Sequence, residues 1–253
     1  MRTIIEFHHK HPIQAIISVD DSATELAARA GSAIGLAHNS PQAAEAARDK
    51  LLMRTLMSAG GAPCPVFRPF LLNNNPDVIA SRVSYPCVIK PLRLSGSRGV
   101  IRANNPAEFS VAFNRLKRLL ISEGNAEHET SILVEDFIPG FEVALEGMLT
   151  HGQLKVLALF DKPDPLDGPF FEETIYVTPS RLPVKVQEEI ARCVTIGAAS
   201  LELREGPVHV ELRVNEQGPG CLKLPAVPLE VSARRYWSLA LVCAWRNLYC
   251  ARQ

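Results

Sequence analysis

Runs of apolar residues, several of them alternating with polar residues, predict a chain with many β-strands. The runs are bounded by turn residues and span 86–90, 99–102, 131–135, 141–149, 153–160 and 208–214. Thr150, His151 and Gly152 form a hairpin-like turn between two of these strands. Asn105 is a typical N-cap and predicts a helix that extends to about residue 122. The mixture of strands and helices indicates the α/β (α+β) class.

The first 40 residues carry the pattern of a single β-α unit. The apolar run 13–19 predicts a strand, which ends at two aspartates. Ser22 follows as an N-cap for a helix that is predicted to extend to Gly31. We therefore expect one strand and one helix before residue 40.

The next helix begins with a stronger signal. Ser40 is a typical N-cap and Pro41 suits the first helical position, so a helix is predicted from there to the glycines at 60–61. The proline-rich stretch 63–69 then indicates a connector. Residues 161–169 form a polar, proline-rich loop, and long loops of this kind are often functional lids.

Alternation along two strands in the second half of the chain places the polar side chains of each strand on one face of that strand. Glu142 and Glu146 share a face of their strand. His209, Glu211 and Arg213 line up along a later strand, opposite its apolar residues. An antiparallel strand with one hydrated face would produce the same pattern without any function.

Length and composition narrow the class of protein. The chain has 253 residues, of which 47% are hydrophobic, and this suffices for one large domain or two to three small ones. No run of about 18 apolar residues occurs and the N-terminus is rich in histidine, so we expect a cytoplasmic chain without membrane partners. A formal net charge of zero argues against nucleic-acid binding by bulk electrostatics. The cysteines lack C-x-x-C spacing and indicate neither a zinc site nor a disulfide framework.

A lysine and a loop of small residues suggest a phosphate site. Lys90 ends an apolar strand, and a loop containing Ser95, Gly96, Ser97 and Gly99 follows it. Small residues let successive backbone N–H groups approach an anion, so the lysine and the loop could contact one polyphosphate. A β-hairpin with a flexible turn and a solvated lysine is the alternative. P-loop, protein-kinase and dinucleotide-binding signatures are absent, which leaves a phosphate-binding hairpin of another kind.

The order of these motifs resembles the ATP-grasp superfamily over about residues 13–219. A helix lysine, Lys50, precedes the strand lysine, and an acidic strand end, a glutamate pair and an H-x-E strand follow the loop. The string D-K-P-D-P-L-D-G-P at 161–169 is the most specific part. It is similar to the carboxylate–amine ligase branch, which includes amino-acid ligases and carnosine-synthase-like enzymes. The resemblance implies two α/β subdomains that sandwich a nucleotide, with a remnant of a Rossmann-like pre-ATP-grasp domain before them.

The resemblance also implies which residues bind ATP. They are Lys50, Lys90, Ser95, Gly96, Ser97, Gly99, Glu135, Asp136, Phe137 and Glu142. The two lysines and the mobile loop 95–99 would contact the phosphates. The segment 134–138 would be the hinge that holds adenine through backbone and side-chain hydrogen bonds. Glu142 would bind the ribose hydroxyls, with a solvated strand carboxylate as the alternative.

The implied chemistry is amide-bond formation in two steps. A substrate carboxylate would attack the γ-phosphate to give an acyl phosphate, and an amine would then displace phosphate. Glu211 would be a ligand of Mg²⁺, which binds few protein carboxylates and completes its octahedron with waters and phosphate oxygens. We assign Arg213, on the same strand, a catalytic role. The resemblance implies that the substrates are small-molecule carboxylates and amines, namely amino acids, and it leaves a homodimer open.

The C-terminal segment departs from the family pattern. Lys223 stands where the family has a second metal-binding glutamate, and a cation there should repel the metal. From Gly220 onward the chain holds both tryptophans and a single acidic residue, Glu230. A frameshift near Gly220 would explain the change, because a shifted reading permits the family's missing motif. A divergent C-terminus is the alternative.

These features divide the chain into three expected parts. Residues 1–40 would be the remnant of the pre-ATP-grasp domain, 41–219 the ATP-grasp domain, and 220–253 an aberrant or divergent tail. Met1 would then be an internal or mis-called start. The leading interpretation is an ATP- and Mg²⁺-dependent carboxylate–amine ligase that is impaired in this chain. A nucleotide-binding pseudoenzyme and a structural or regulatory module without nucleotide are the alternatives.

Overall fold

Two antiparallel β-sheets and the helices packed against them make up the described part of the chain. The structure is a computed structural model that describes residues 1–18, 23–127, 130–171 and 175–223, with 221–223 described by their backbone alone. The helices are α1 (Arg2–Lys10), α2 (Thr24–Ala33), α3 (Pro41–Arg48), α4 (Lys50–Ala59), α5 (Pro76–Ala80), α6 (Pro106–Ser122) and α7 (Val184–Ser200). The strands are β1 (Phe67–Leu71), β2 (Cys87–Pro91), β3 (Ile101–Ala103), β4 (Ser131–Asp136), β5 (Phe141–Thr150), β6 (Gln153–Lys162), β7 (Gly206–Asn215) and β8 (Gly218–Lys223). None of the helices in these ranges has the length and apolar composition that crossing a membrane requires.

Each sheet has four strands. The N-terminal sheet has the order β1-β4-β2-β3, and the C-terminal sheet has the order β6-β5-β7-β8. Every neighbouring pair is antiparallel. Pro69 lies in β1 at the edge of its sheet, where a residue without an N–H is tolerated. The connector predicted over 63–69 therefore ends inside a strand.

Helices α5 and α6 cover one face of the N-terminal sheet. Ile89 of β2 is buried with Phe109 and Phe113 of α6 in a single apolar cluster. The N-cap prediction for α6 is confirmed, because the side chain of Asn105 accepts a hydrogen bond of 3.0 Å from the backbone N–H of Glu108. The opposite face of the same strands is thereby left for polar side chains.

The C-terminal sheet packs against α3, α4 and α7. Val143 and Val210 of the sheet are buried with Met53 and Met57 of α4 and Ile190 of α7. Helix α4 therefore belongs to the apolar core of the C-terminal sheet, although it precedes the N-terminal sheet in the chain.

Asp49 divides the helix that was predicted from Pro41 to the glycines at 60–61. Its backbone is extended, with φ −93° and ψ 110°, and its side chain accepts hydrogen bonds from the N–H groups of Leu51 and Leu52. An aspartate that caps in this way starts a new helix. The prediction of one helix is wrong for this reason, and the break places Lys50 at the first position of α4.

The N-terminal region agrees with its prediction only in part. The run 13–19 was predicted as a strand, but its described residues, 13–18, have no regular structure. No described strand pairs with this run, and an apolar run without a neighbour cannot form a ladder. The predicted helix is confirmed as α2, while its proposed cap, Ser22, lies outside the described residues. Helix α1 was not predicted.

The remaining predicted elements are confirmed with small shifts at their ends. The six predicted strands correspond to β2, β3, β4, β5, β6 and β7. Strands β1 and β8 and helices α5 and α7 were not predicted.

Candidate active site

One face of the C-terminal sheet carries a layer of buried charged side chains. The strand register pairs Glu142 with Arg213, Glu146 with His209 and Ala144 with Glu211. Glu142, Glu146, His209 and Arg213 are all buried. The face predicted for each strand is confirmed, and the register adds that the two sets lie on the same face of the sheet. A hydrated strand face does not explain them, because water has little access to these groups.

Lys162 joins two of the carboxylates. Its Nζ donates to Oε1 of Glu142 and to Oε1 of Glu211, each at 2.9 Å, and its side chain is 2% exposed. Burial raises the pKa of Glu142, Lys162 opposes this shift, and the charge of Glu211 adds to it. The sequence motif D-K-P contains this lysine, but sequence reasoning gave it no role. Its position at the end of β6, next to a strand with alternating glutamates, is the signal that could have identified it.

Arg213 is held by protein groups on several sides. Its Nε donates to Oε2 of Glu142 at 3.1 Å, and its two terminal nitrogens donate to the carbonyl oxygens of Ile138 and Leu166. Its guanidinium also lies 4.8 Å from the centre of the Phe137 ring. The arginine thus connects the charged layer to the segment 135–138. Its catalytic role stays a prediction.

His209 forms a short contact with Glu146, with 2.5 Å between Nδ1 and Oε1. Its Nε2 lies 3.8 Å from Oε1 of Glu211. Burial opposes the charged imidazolium, but the hydrogen bond to Glu146 and the negative charges of Glu146 and Glu211 raise the pKa of His209 to about 9. His209 is therefore a cation at neutral pH, and its positive charge balances the negative charge of the carboxylates in this layer.

A second buried cluster lies on the polar face of the N-terminal sheet. Nζ of Lys90 is 2.5 Å from Oε2 of Glu135, and Nε of Arg54 is 2.7 Å from Oε1 of the same carboxylate. Burial alone would raise the pKa of Glu135, but the two cations lower it to about 2. The carboxylate is therefore ionised and pairs with Lys90 and Arg54, and its predicted contact with the nucleotide stays a prediction. Arg54 was missed by sequence reasoning, although its spacing of four residues from Lys50 places both on one side of α4.

Lys50 lies beside the chain that leads into the glycine-serine loop. Its Nζ donates to the carbonyl oxygens of Leu94 at 2.7 Å and Leu92 at 3.4 Å. The helix lysine is therefore held next to residue 94, where the loop 95–99 begins. Their contact with phosphates stays a prediction.

The loop itself depends on small residues. Gly96, Ser97 and Gly99 all have positive φ angles, of 61°, 53° and 75°. A Cβ on Gly99 would lie 2.8 Å from Cδ1 of Leu116 in α6. Packing against α6 therefore requires Gly99 independently of any ligand. Ser95 accepts a backbone hydrogen bond of 3.3 Å from Arg98 within the loop.

The predicted adenine hinge uses part of its backbone within the protein. The N–H of Asp136 donates to Val66 and the N–H of Phe137 donates to Pro86, each at 3.0 Å. The Phe137 ring also lies 4.0 Å from the guanidinium of Arg102. These two N–H groups are therefore engaged by protein carbonyls in this arrangement, and the predicted contacts of the hinge with adenine remain untested.

The proline-rich loop contacts both sheets. At its base, Asp161 of β6 accepts from Oγ of Ser180 at 2.6 Å and from the N–H of Arg181 at 3.0 Å. Farther along, Arg102 of β3 donates to the carbonyl oxygen of Asp167 at 2.7 Å. The loop thus runs from the C-terminal sheet to the edge of the N-terminal sheet, which is consistent with the predicted lid.

The described residues around Glu211 offer few ligands for a magnesium ion. The register of β7 and β8 pairs Glu211 with Lys223. Within the described ranges, no group of three or more His, Cys, Asp or Glu residues is arranged to hold a metal ion. Glu211 can offer one carboxylate, and Mg²⁺ accepts a single protein carboxylate when phosphate oxygens and waters supply the rest. The described donors therefore fit a metal held mainly by a nucleotide, and they do not form a protein-based metal site.

Comparisons with known proteins agree with this arrangement. The D-alanine–D-alanine ligase of Marinomonas sp. (strain MWYL1) is 36% identical over 104 residues, which cover 41% of this chain and 30% of that protein. The alanine–anticapsin ligase of Bacillus subtilis (strain 168) is 25% identical over 215 residues, 79% of this chain and 45% of that protein. The chain thus spans less than half the length of these two relatives.

Solved structures show the same fold. The crystal structure of an L-amino acid ligase from Bacillus licheniformis has a TM-score of 0.75 and 25% identity, covering 93% of this chain and 54% of that one. The biotin carboxylase domain of the Hydrogenobacter thermophilus 2-oxoglutarate carboxylase has a TM-score of 0.71 at 17% identity, covering 92% of this chain and 52% of that one. At that identity the likeness concerns the fold alone.

A family profile covers the larger part of the chain. Residues 83–239 match the profile of the ATP-grasp domain. The matched range continues past Gly220, into the segment where the sequence suggests a frameshift. The frameshift itself stays a prediction. Because the match covers more than half of the 253 residues and the two sheets have the fold of known members, this chain belongs to the ATP-grasp family.

Proposed function

We propose that this chain is the ATP-binding, catalytic part of a ligase that joins a carboxylate to an amine and releases ADP and phosphate. One observation carries the proposal. The buried cluster of Lys90 and the charged layer around Glu142 both contact the segment 135–138, the first through Glu135 and the second through Arg213. A nucleotide placed along that segment would have cations toward one end and carboxylates toward the other.

The phosphates would be held on the side of the N-terminal sheet. Lys90 and Lys50 would supply positive charge, and the loop 95–99 would supply backbone N–H groups. Phosphoryl transfer needs positioning and neutralisation of charge more than covalent chemistry by the protein. No nucleophilic side chain is therefore required. The ribose hydroxyls would be bound by Glu142, which Lys162 and Arg213 keep in place.

The reaction would proceed through an acyl phosphate. An oxygen of the substrate carboxylate forms a bond to the γ-phosphorus, and the bond between that phosphorus and the β–γ bridging oxygen breaks to release ADP. The amine nitrogen then bonds to the acyl carbon, and phosphate leaves with the oxygen that joined it to that carbon. The amine proton goes to solvent. Bound Mg²⁺ would neutralise charge on the phosphates, with Glu211 as its protein ligand.

Amino acids are the proposed substrate class. Support comes from the relatives, which are named as ligases of D-alanine, of alanine with anticapsin, and of L-amino acids.

Slow turnover is part of the proposal. Lys223 is paired with Glu211 in the β7–β8 register, where the family pattern has a second acidic residue. A cation at this position disfavours a divalent metal next to Glu211. The same observation favours a second candidate function, a protein that binds the nucleotide without consuming it.

Nucleotide binding and turnover of the 253-residue chain separate these functions. We expect ATP to bind in calorimetry with Mg²⁺, and ADP release to be slow in the presence of mixed amino acids. The substitution K223E should raise amino-acid-dependent ADP release by about tenfold or more, equivalent to about 1.4 kcal/mol in the barrier. K155E, which makes the same charge change at an exposed position of β6, is the matched control. Failure of the wild-type chain to bind ATP would refute both functions, and binding without ADP release even in K223E would favour the second.

A further inference from the structure

Arg54 and Arg213 are the largest fully buried side chains among the described residues, and no motif singled out Arg54. We propose that Arg54 is a positioning residue for nucleotide binding, because it fixes Glu135 and thereby the ammonium group of Lys90 that faces the phosphates. The inference rests on the proposed function. It adds a residue that would determine phosphate affinity without touching the nucleotide.

The geometry of the guanidinium supports this role. Nε of Arg54 donates to Oε1 of Glu135 at 2.7 Å, and the terminal NH2 nitrogen donates to Oε2 at 3.2 Å. Two parallel contacts from a planar fork hold a carboxylate in one orientation. Lys90 then lies 2.5 Å from Oε2, so the position of its Nζ depends on where Arg54 places that oxygen.

The contact between Arg54 and Glu135 also links helix α4 to the N-terminal sheet. Met53 and Met57 of this helix pack into the apolar core of the C-terminal sheet. Arg54, between them in sequence, instead contacts a glutamate of the N-terminal sheet that is 81 residues away in the chain. The side chain therefore ties the lysine of one sheet to the core of the other. This contact is one of several that hold the two parts of the site at a fixed separation.

A purely structural role explains the cluster less well. Replacing a buried ion pair by apolar residues of similar volume often leaves the stability of the folded protein unchanged, so stability alone is a weak reason for such a pair. Here Arg54 and Lys90 also share the carboxylate of Glu135, and two like charges near one acid repel each other. An arrangement with this cost is expected where the orientation of one of the cations matters.

The test compares ATP with adenosine, which lacks the phosphates. Dissociation constants of both are measured by competition for the full chain and for the variants R54M and R54K. R54M should weaken ATP binding by roughly 10–100-fold, the usual effect of losing a partner that orients a ligand-binding group. Adenosine binding should fall much less than ATP binding, because adenosine has no phosphates for Lys90 to bind. R54K keeps the charge without the fork and should recover only part of the ATP affinity.

Controls distinguish positioning from stability. R29M removes an arginine that pairs with Glu25 on the surface of α2, and it should change neither constant. M53A removes a buried side chain of α4 without altering charge, and it should lower thermal stability while leaving the ratio of ATP to adenosine affinity unchanged. Equal losses of ATP and adenosine binding in R54M would show that Arg54 acts only on the fold and would overturn the proposal.

A double variant tests the proposal in case R54M does not fold. The double substitution R54M/E135Q removes the paired charges together and avoids an uncompensated buried carboxylate. It should also bind ATP more weakly relative to adenosine, because Lys90 has lost its anchor. Wild-type ATP affinity in the double variant would overturn the inference and leave the proposed function intact. Absence of ATP binding by the wild-type chain would overturn both.

Discussion

The buried carboxylate of Glu135 should make the stability of the folded chain depend on pH in the acidic range. The perturbation that reveals this is E135Q, which keeps the shape of the side chain and removes its charge. In the wild-type chain, the cations Arg54 and Lys90 lie within hydrogen-bonding distance of the two carboxylate oxygens. The glutamine variant leaves both cations in place without their acid.

The magnitude follows from the pKa of Glu135. Burial opposes ionisation, but Arg54 and Lys90 together lower the pKa from its ordinary 4.5 to about 2. At about 1.4 kcal/mol per pKa unit, this corresponds to roughly 3 kcal/mol of folding free energy at neutral pH. Because the folded-state pKa is the lower one, this stabilisation is complete above pH 4.5 and is lost as the pH falls toward about 2.

Urea unfolding followed by far-UV circular dichroism measures this effect. Wild type should exceed E135Q by about 3 kcal/mol at neutral pH. Below pH 4.5 the difference between them should shrink by about 1.4 kcal/mol per pH unit, since the unfolded chain binds a proton that the folded chain does not. Taking the difference between two variants removes the contributions of the other acidic groups.

The control is E25Q. Arg29 lowers the pKa of Glu25 through an ion pair as well, but this pair lies on the surface, where solvent screens it. E25Q should therefore stay close to wild type at every pH. A difference between wild type and E135Q that does not change with pH would refute the reasoning, because it would mean that Glu135 has the same pKa in the folded and unfolded chains.

Two further changes test the packing of the site. K162M leaves Glu142 and Glu211 without the cation between them, so urea unfolding should show a loss of about 3–5 kcal/mol in stability. The double variant K162M/E142Q should recover part of this loss, and equal stability of the single and double variants would contradict the expected role of Lys162. G99A should lower stability by about 1–3 kcal/mol more than G124A in thermal unfolding, because both glycines have positive φ but only the Cβ at 99 meets another side chain. Equal effects of the two alanines would contradict the clash.

Part of the site was readable from the sequence because its signals are local. Alternation assigned Glu142 and Glu146 to one face of β5, and His209, Glu211 and Arg213 to one face of β7. The register of the two strands then places both sets on the same face of the sheet. The strand lysine and the loop after it followed from small residues next to an apolar run. Each of these inferences needs only neighbouring residues and a known period.

Other features were not readable, because competing local signals decided them. Asp49 looks like an ordinary polar position in an alanine-rich helix, yet its side chain caps a new helix. The run 13–18 has the composition of a strand, but no described strand lies beside it. Pro69 suggested a connector, while the edge of a sheet tolerates it.

The sequence by itself determined the family, the central strands and the face on which the charged residues lie. These depend on periodicity and on motif order, which the chain carries locally. Only the tertiary structure decided the partners: Arg54 with Glu135 and Lys90, and Lys162 between two glutamates. The physical reason is that ion pairs depend on how distant elements cross, and the residues of these pairs come from separate helices and strands that only packing brings together.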